Sequence, residues 1–80
     1  MRDEILEALI NKIAQLTQKD ASTLSGETDL KGELPLKSIE VAAITAMLEE
    51  EYDVYIKYTD MVHAKSINEM ADIAMKEIDG

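Results

Sequence analysis

The residues able to do chemistry in this chain are few. There is no cysteine, which removes a protein thiolate nucleophile, a disulfide framework and a Cys-rich zinc site by count alone. The single histidine, His63, has no nucleophile or second ligand at useful spacing. A surface or helix-end histidine is therefore expected rather than a base or metal ligand. Asp29, Glu33 and Glu40 do not follow a twelve-residue calcium loop, and no glycine-rich phosphate loop is present. Without a nucleophile–base pair or a metal cluster, the sequence reads as that of a non-enzyme. What remains is Ser38, which follows Leu34-Pro35-Leu36-Lys37 and precedes Ile39-Glu40. On spacing alone, a serine at this point is a helix N-cap worth about 1 kcal/mol.

The elements that must position Ser38 follow from the apolar pattern. Leu6, Leu9, Ile10, Ile13 and Leu16 fall on one helical face, which predicts a first helix from about Asp3 to Thr17. Residues 18–37 lose that period and are rich in turn and cap formers, including Asp20, Ser25, Gly26 and Gly32. A free loop of this length is uncommon in a compact domain, so Leu24, Leu30, Leu34 and Leu36 are expected to pin it to the core. Pro35 keeps Leu34 out of the helical region and delays the next helix. That second helix is expected from Ser38 to about Tyr52, burying Val41, Ile44, Leu48 and Tyr52 with Glu40, Glu49, Glu50 and Glu51 toward solvent. Val54 to Tyr58 resembles a strand locally but has no partner, so an extended connection is expected. A short turn of helix follows at Thr59 to His63. Ser66-Ile67-Asn68-Glu69 matches a capping box, and Ile67, Met70, Ala71, Ala74 and Ile78 mark the core face of the last helix.

The predicted fold class is thus all-α: a small bundle of three main helices plus one short helix, with a long loop between helices 1 and 2. Eighty residues suit a single domain spanning 1–80 with a thin core. Aromatic residues make up only 4% of the chain, with no Trp or Phe, so Leu, Ile, Ala and Met must fill that core. A net charge of −9 disfavours nucleic acid and anionic membranes and favours basic protein partners. The acid-bearing N-terminus is wrong for a signal peptide, and no apolar run spans a bilayer. A soluble cytoplasmic monomer is the expectation.

The stretch TDLKGELPLKSIEVAAITAMLEEEYDVYI, residues 28–56, resembles the acyl and peptidyl carrier protein family. A leucine-bearing loop delivers a serine to an acidic helix that ends in LEEEYD, and the likeness extends over nearly the whole chain. In that family the serine carries a 4′-phosphopantetheine arm derived from coenzyme A, which implies Ser38 as the attachment residue here. The family motif Gly-x-Asp-Ser-Leu reads Pro35-Leu36-Lys37-Ser38-Ile39: serine, branched apolar residue and following acid are kept, while glycine and aspartate are replaced. A phosphodiester on Ser38 would lie where open helix amides and the positive dipole end favour an anion. Lys37 leaves three readings open: a carrier served by a particular transferase, a carrier that has lost modification, or a loop lysine neutralised by Glu33 or Glu40.

The resemblance also implies partners: a phosphopantetheinyl transferase and acyl-processing enzymes with basic docking patches. The implied docking residues are Lys37, Ile39, Glu40, Ala42, Ala46, Glu49 and Glu50. From Ser38 to Asp53 there are five acids and no base, and none of the four glutamates has a Lys or Arg at i+4. An ordinary solvated helix face is the alternative. Ala42, Ala43 and Ala46, with Met47, Met70 and Met75 nearby, raise the further possibility that an acyl chain slips between the helices, against a simply well-packed alanine-rich helix. Tyr52 is expected in the core, with Tyr55 and Tyr58 covering the domain edge. Two functions therefore compete: a carrier of acyl or aminoacyl thioesters for fatty acid, lipid or polyketide-type synthesis, and an unmodified acidic helical module that docks a basic partner.

Overall fold

A computed structural model describes all residues from Met1 to Gly80. It contains four α-helices, α1 (Arg2–Thr17), α2 (Ser38–Tyr52), α3 (Tyr58–Val62) and α4 (Ile67–Asp79), with a 3₁₀ turn at Ala21–Thr23. The apolar period of α1 buries Ile5, Leu9 and Ile13, and the helix ends at Gln18, whose φ of 59° closes it in a left-handed cap. α2 buries Val41, Ile44, Thr45 and Leu48 and ends the same way at Asp53, φ 54°. The Thr45 hydroxyl donates to the Val41 carbonyl (2.8 Å), so its burial leaves no unpaired polar atom. α4 buries Ile67, Met70, Ala71 and Ala74.

These faces meet in one cluster of 14 buried residues, with α1 packed chiefly on α4 and α2 on α3. The long loop is pinned as its leucines require. Leu30 is buried, and Leu24, Leu34 and Leu36 pack against the cluster. Backbone bonds also stitch it to the start of α4: Leu30 N–H donates to the Lys65 carbonyl (2.9 Å) and Asn68 N–H to the Gly26 carbonyl (2.7 Å). Gly26 lies so close to the Asn68 side chain that a Cβ there would collide with it. Arg2 forms an ion pair with Asp72, tying α1 to α4.

The expected boundaries need one shift. The short helix begins at Tyr58 rather than Thr59 and ends at Val62, with His63 as its exposed C-cap. Lys57 takes the N-cap, and its carbonyl accepts from the amides of Asp60 and Met61. Val54 to Lys57 is extended, with Ile56 buried between exposed Tyr55 and Lys57. Tyr52 is half-buried at the edge of the cluster rather than inside it. No helix is long and apolar enough to cross a membrane.

Candidate functional site

Ser38 is the first residue of α2, one place inside the helix, and not its cap. The N-cap is Lys37, in extended conformation (φ −76°, ψ 156°). A lysine side chain has no acceptor, so it cannot bond the exposed amides of the first turn. The cap is closed from the other direction, by the Glu40 carboxylate accepting from the Lys37 N–H at 2.7 Å. This half of a capping box leaves the amides of Ser38 and Ile39 without a partner in the chain. Lys37 makes no ion pair with Glu33 or Glu40: the chain's two ion pairs are Arg2–Asp72 and that of the N-terminal ammonium with Glu4.

The hydroxyls of the four serines differ in what holds them. That of Ser22 donates to the Asp20 carboxylate (2.9 Å), that of Ser25 accepts from Glu27 N–H (3.2 Å), and that of Ser66 accepts from Glu69 N–H (3.2 Å). The Ser38 hydroxyl makes no hydrogen bond within the chain, and the residue is exposed. Its carbonyl alone is engaged, accepting from the Tyr58 hydroxyl at 3.3 Å. That bond brings the start of α3 beside the start of α2.

Several residues singled out from the sequence lie on one outward stripe. Ile39, Ala42, Ala46 and Glu50 are all exposed, at spacings of three and four that place them on a single face of α2. Ile39 is 76% exposed, and Tyr55 and Tyr58 are the other large apolar side chains exposed beside this helix. Glu40 and Glu49 do not simply face solvent, as the sequence reading had it. Both are half-buried, Glu40 through its cap and Glu49 by accepting from Ile56 N–H at 2.9 Å. Glu49 thereby anchors the connection that carries Tyr55 and Tyr58. No local sequence pattern marks that bond, since it joins the last turn of α2 to the extended connection beyond it.

The small side chains leave space only as open surface depressions between α2 and α1, lined by Ala43, Ala46 and Met47, and not as an enclosed cavity in the core. Ala42 and Ala46 face outward and Ala43 is half-buried, while Met70 is fully within the cluster. No group of three or more His, Asp or Glu side chains is placed to hold a metal ion.

The chain is thus an all-α bundle with one exposed, unbonded serine hydroxyl at the head of an acidic helix. Residues 7–74 match the family described as the phosphopantetheine attachment site, and the chain belongs to that family of carriers. The fold is similar to the solution structure of an apo doublet acyl carrier protein from prodigiosin biosynthesis, with a TM-score of 0.73 and 22% identity. The likeness covers 94% of this chain and 36% of that one. No curated protein sequence matches the chain at a significant level. Members of this family carry covalently attached 4′-phosphopantetheine.

Proposed function

We propose that residues 1–80 form a single cytoplasmic carrier domain that holds acyl or aminoacyl groups on a 4′-phosphopantetheine arm attached at Ser38. The observation that carries this reading is that Ser38 alone among the four serines has an exposed hydroxyl with no bond to break. The surroundings fit a phosphodiester: the amides of Ser38 and Ile39 are open at the positive end of a 15-residue helix. When bound, the arm supplies a terminal thiol that holds cargo as a thioester, so a chain without cysteine can still carry it. The chain's own part is to present the hydroxyl, hold the first turn through Glu40 and Tyr58, and offer a recognisable surface.

That surface is the α2 stripe with its flanks: Lys37 and Ile39 beside the serine, then Ala42, Ala46 and Glu50, with Glu40 and Glu49 at its borders. Acid at the far end suits basic patches on a phosphopantetheinyl transferase and on acyl-processing enzymes of fatty acid, lipid or polyketide-type synthesis. Such charge pairing gives fast, salt-sensitive encounters rather than tight ones. The flat alanines narrow what can be gripped, and Lys37 selects a transferase that tolerates a cation at the serine.

The test is mass spectrometry of the chain after incubation with coenzyme A and a broad-range phosphopantetheinyl transferase. A gain of one phosphopantetheine that vanishes in Ser38→Ala is the expected result. No gain, under conditions that modify a control carrier, would overturn attachment and leave the unmodified interaction module.

A further inference from the structure

On the side of α2 that faces α1, two adjoining depressions of about 590 and 460 Å³ share Lys12, Met47 and Glu51 and together make one long groove. Its floor is apolar and shallow, made by Ala8 from α1 and by Ala43, Ala46 and Met47 from α2. Its rim is acidic, with Glu4 and Glu7 along one side and Glu50 and Glu51 along the other. Lys12 is the one cation among these lining residues, and it forms no ion pair. Three of the four rim acids are also unpaired; Glu4 lies 3.8 Å from the chain's own N-terminal ammonium. The lining on α1 runs from Glu4 to Gln15, a length of about 17 Å or three helical turns. Tyr52 at one end of the groove registers the local field. Its hydroxyl is held in the phenol form by burial first, then by the negative charges of Glu51 and Glu4.

We propose that this groove docks a basic amphipathic helix of a partner protein, about three turns long. Its small apolar side chains rest on the alanine floor, and its lysines or arginines meet the glutamate rim. A helix laid between two helices is a recurrent recognition mode, and here the charge fixes the partner's sign. A second copy of the chain does not fit, because it brings another net charge of −9. Its last helix is itself acidic, with Glu69, Asp72, Glu77 and Asp79 on α4 against one lysine, Lys76. Nucleic acid and anionic bilayers are repelled for the same reason. Lys12 sits in the shared middle of the groove and requires a non-basic residue opposite it, which gives the docked helix a register. The groove shares Ala46 and Glu50 with the outward stripe of α2, while Glu4, Glu7, Ala8 and Lys12 on α1 are its own, so peptide docking is read on the chain whether or not Ser38 is modified.

Isotope-labelled chain titrated with a synthetic amphipathic peptide of three turns, bearing an alanine–leucine face and four lysines, tests this by NMR. Amide shifts are expected at Ala8, Ala46 and Met47, weakening as salt is added. The same peptide with glutamates for lysines should produce none. Glu4→Lys/Glu7→Lys should weaken the lysine peptide about tenfold or more, with helix content by circular dichroism and phosphopantetheine mass gain at Ser38 both retained. If that variant loses its fold, Asn11→Glu, which adds an acid to the α1 side of the lining, should instead tighten the peptide. Shifts confined to Tyr55 and Tyr58, or a Kd unmoved by these variants, would overturn the proposal.

Discussion

Two helices of this bundle begin with a Ser-Ile pair, and the two pairs do opposite things. At α4, Ser66 is the N-cap: its hydroxyl accepts from Glu69 N–H, and Ile67 behind it is fully buried. At α2, Ser38 is one residue further in, its hydroxyl is unbonded, and Ile39 is 76% exposed. A displacement of one residue relative to the cap converts a structural serine into an available one. The reason is geometric, since only a side chain at the N-cap points back at the amides of the first turn. Lys37 occupies that place in α2 and cannot cap. The first turn therefore holds together through Glu40 and the Tyr58 hydroxyl, which bonds the Ser38 carbonyl, and both leave the serine side-chain hydroxyl free.

The largest difference should appear at the isoleucines. Ile67→Ala removes a fully buried side chain and should cost about 2–5 kcal/mol in urea or thermal unfolding. Ile39→Ala should stay within about 0.5 kcal/mol, yet it should slow phosphopantetheine transfer if the α2 stripe is the docking face. Equal destabilisation by the two substitutions would erase the distinction between the two helix starts. Next come the serines: Ser66→Ala should lose about 1 kcal/mol while leaving modification intact. Ser38→Ala should abolish the mass gain with stability unchanged within about 0.5 kcal/mol.

Placing an acceptor at the second cap should bring the helix starts closer in kind. Lys37→Asp should add about 0.5–1 kcal/mol by bonding an open first-turn amide and adding an anion at the positive end of the dipole. A melting temperature that does not rise would show that Glu40 already closes this cap completely. The smallest effect concerns Asp29, which bridges to Ser66 and so supports the α4 side. Backbone N–H bonds, that of Lys31 first and then that of Gly32, hold its carboxyl below the usual carboxylate range. A folded-state value below the unfolded one gives stability that is present above about pH 4. That contribution is lost as pH falls through the lower, folded value. Melting temperatures of Asp29→Asn should therefore fall less steeply on acidification than those of the parent chain.

How much of this could be read beforehand depends on the range of the forces involved. The extent of α2 was legible to about a residue because Pro35 disfavours an earlier start and the apolar stripe runs out at Tyr52. The cap at Ser66 was legible because its partner is three residues away. Its second half differs from the standard box, as the Glu69 carboxylate accepts from Lys65 N–H rather than from Ser66. The one-residue offset at Ser38 was not legible, because serine is a good cap and lysine a poor one, and local preference pointed the wrong way. The engagement of Glu49 by Ile56 and of Ser38 by Tyr58 depends on where α3 docks, which no local pattern encodes. The outward placement of Ala42 and Ala46 was likewise hidden, since alanine is equally at home in a core and on a surface.

The hydrogen bond from Tyr58 to the Ser38 carbonyl also gives the chain a built-in optical probe. There is no tryptophan to mask tyrosine emission, and the three tyrosines lie within residues 52–58. Only one of them touches the backbone of Ser38. Chemistry at that serine should therefore alter the quantum yield or decay time of intrinsic ultraviolet fluorescence, allowing loading to be followed in real time on unlabelled protein. Tyr58→Phe should remove much of that response and assign it to a single ring.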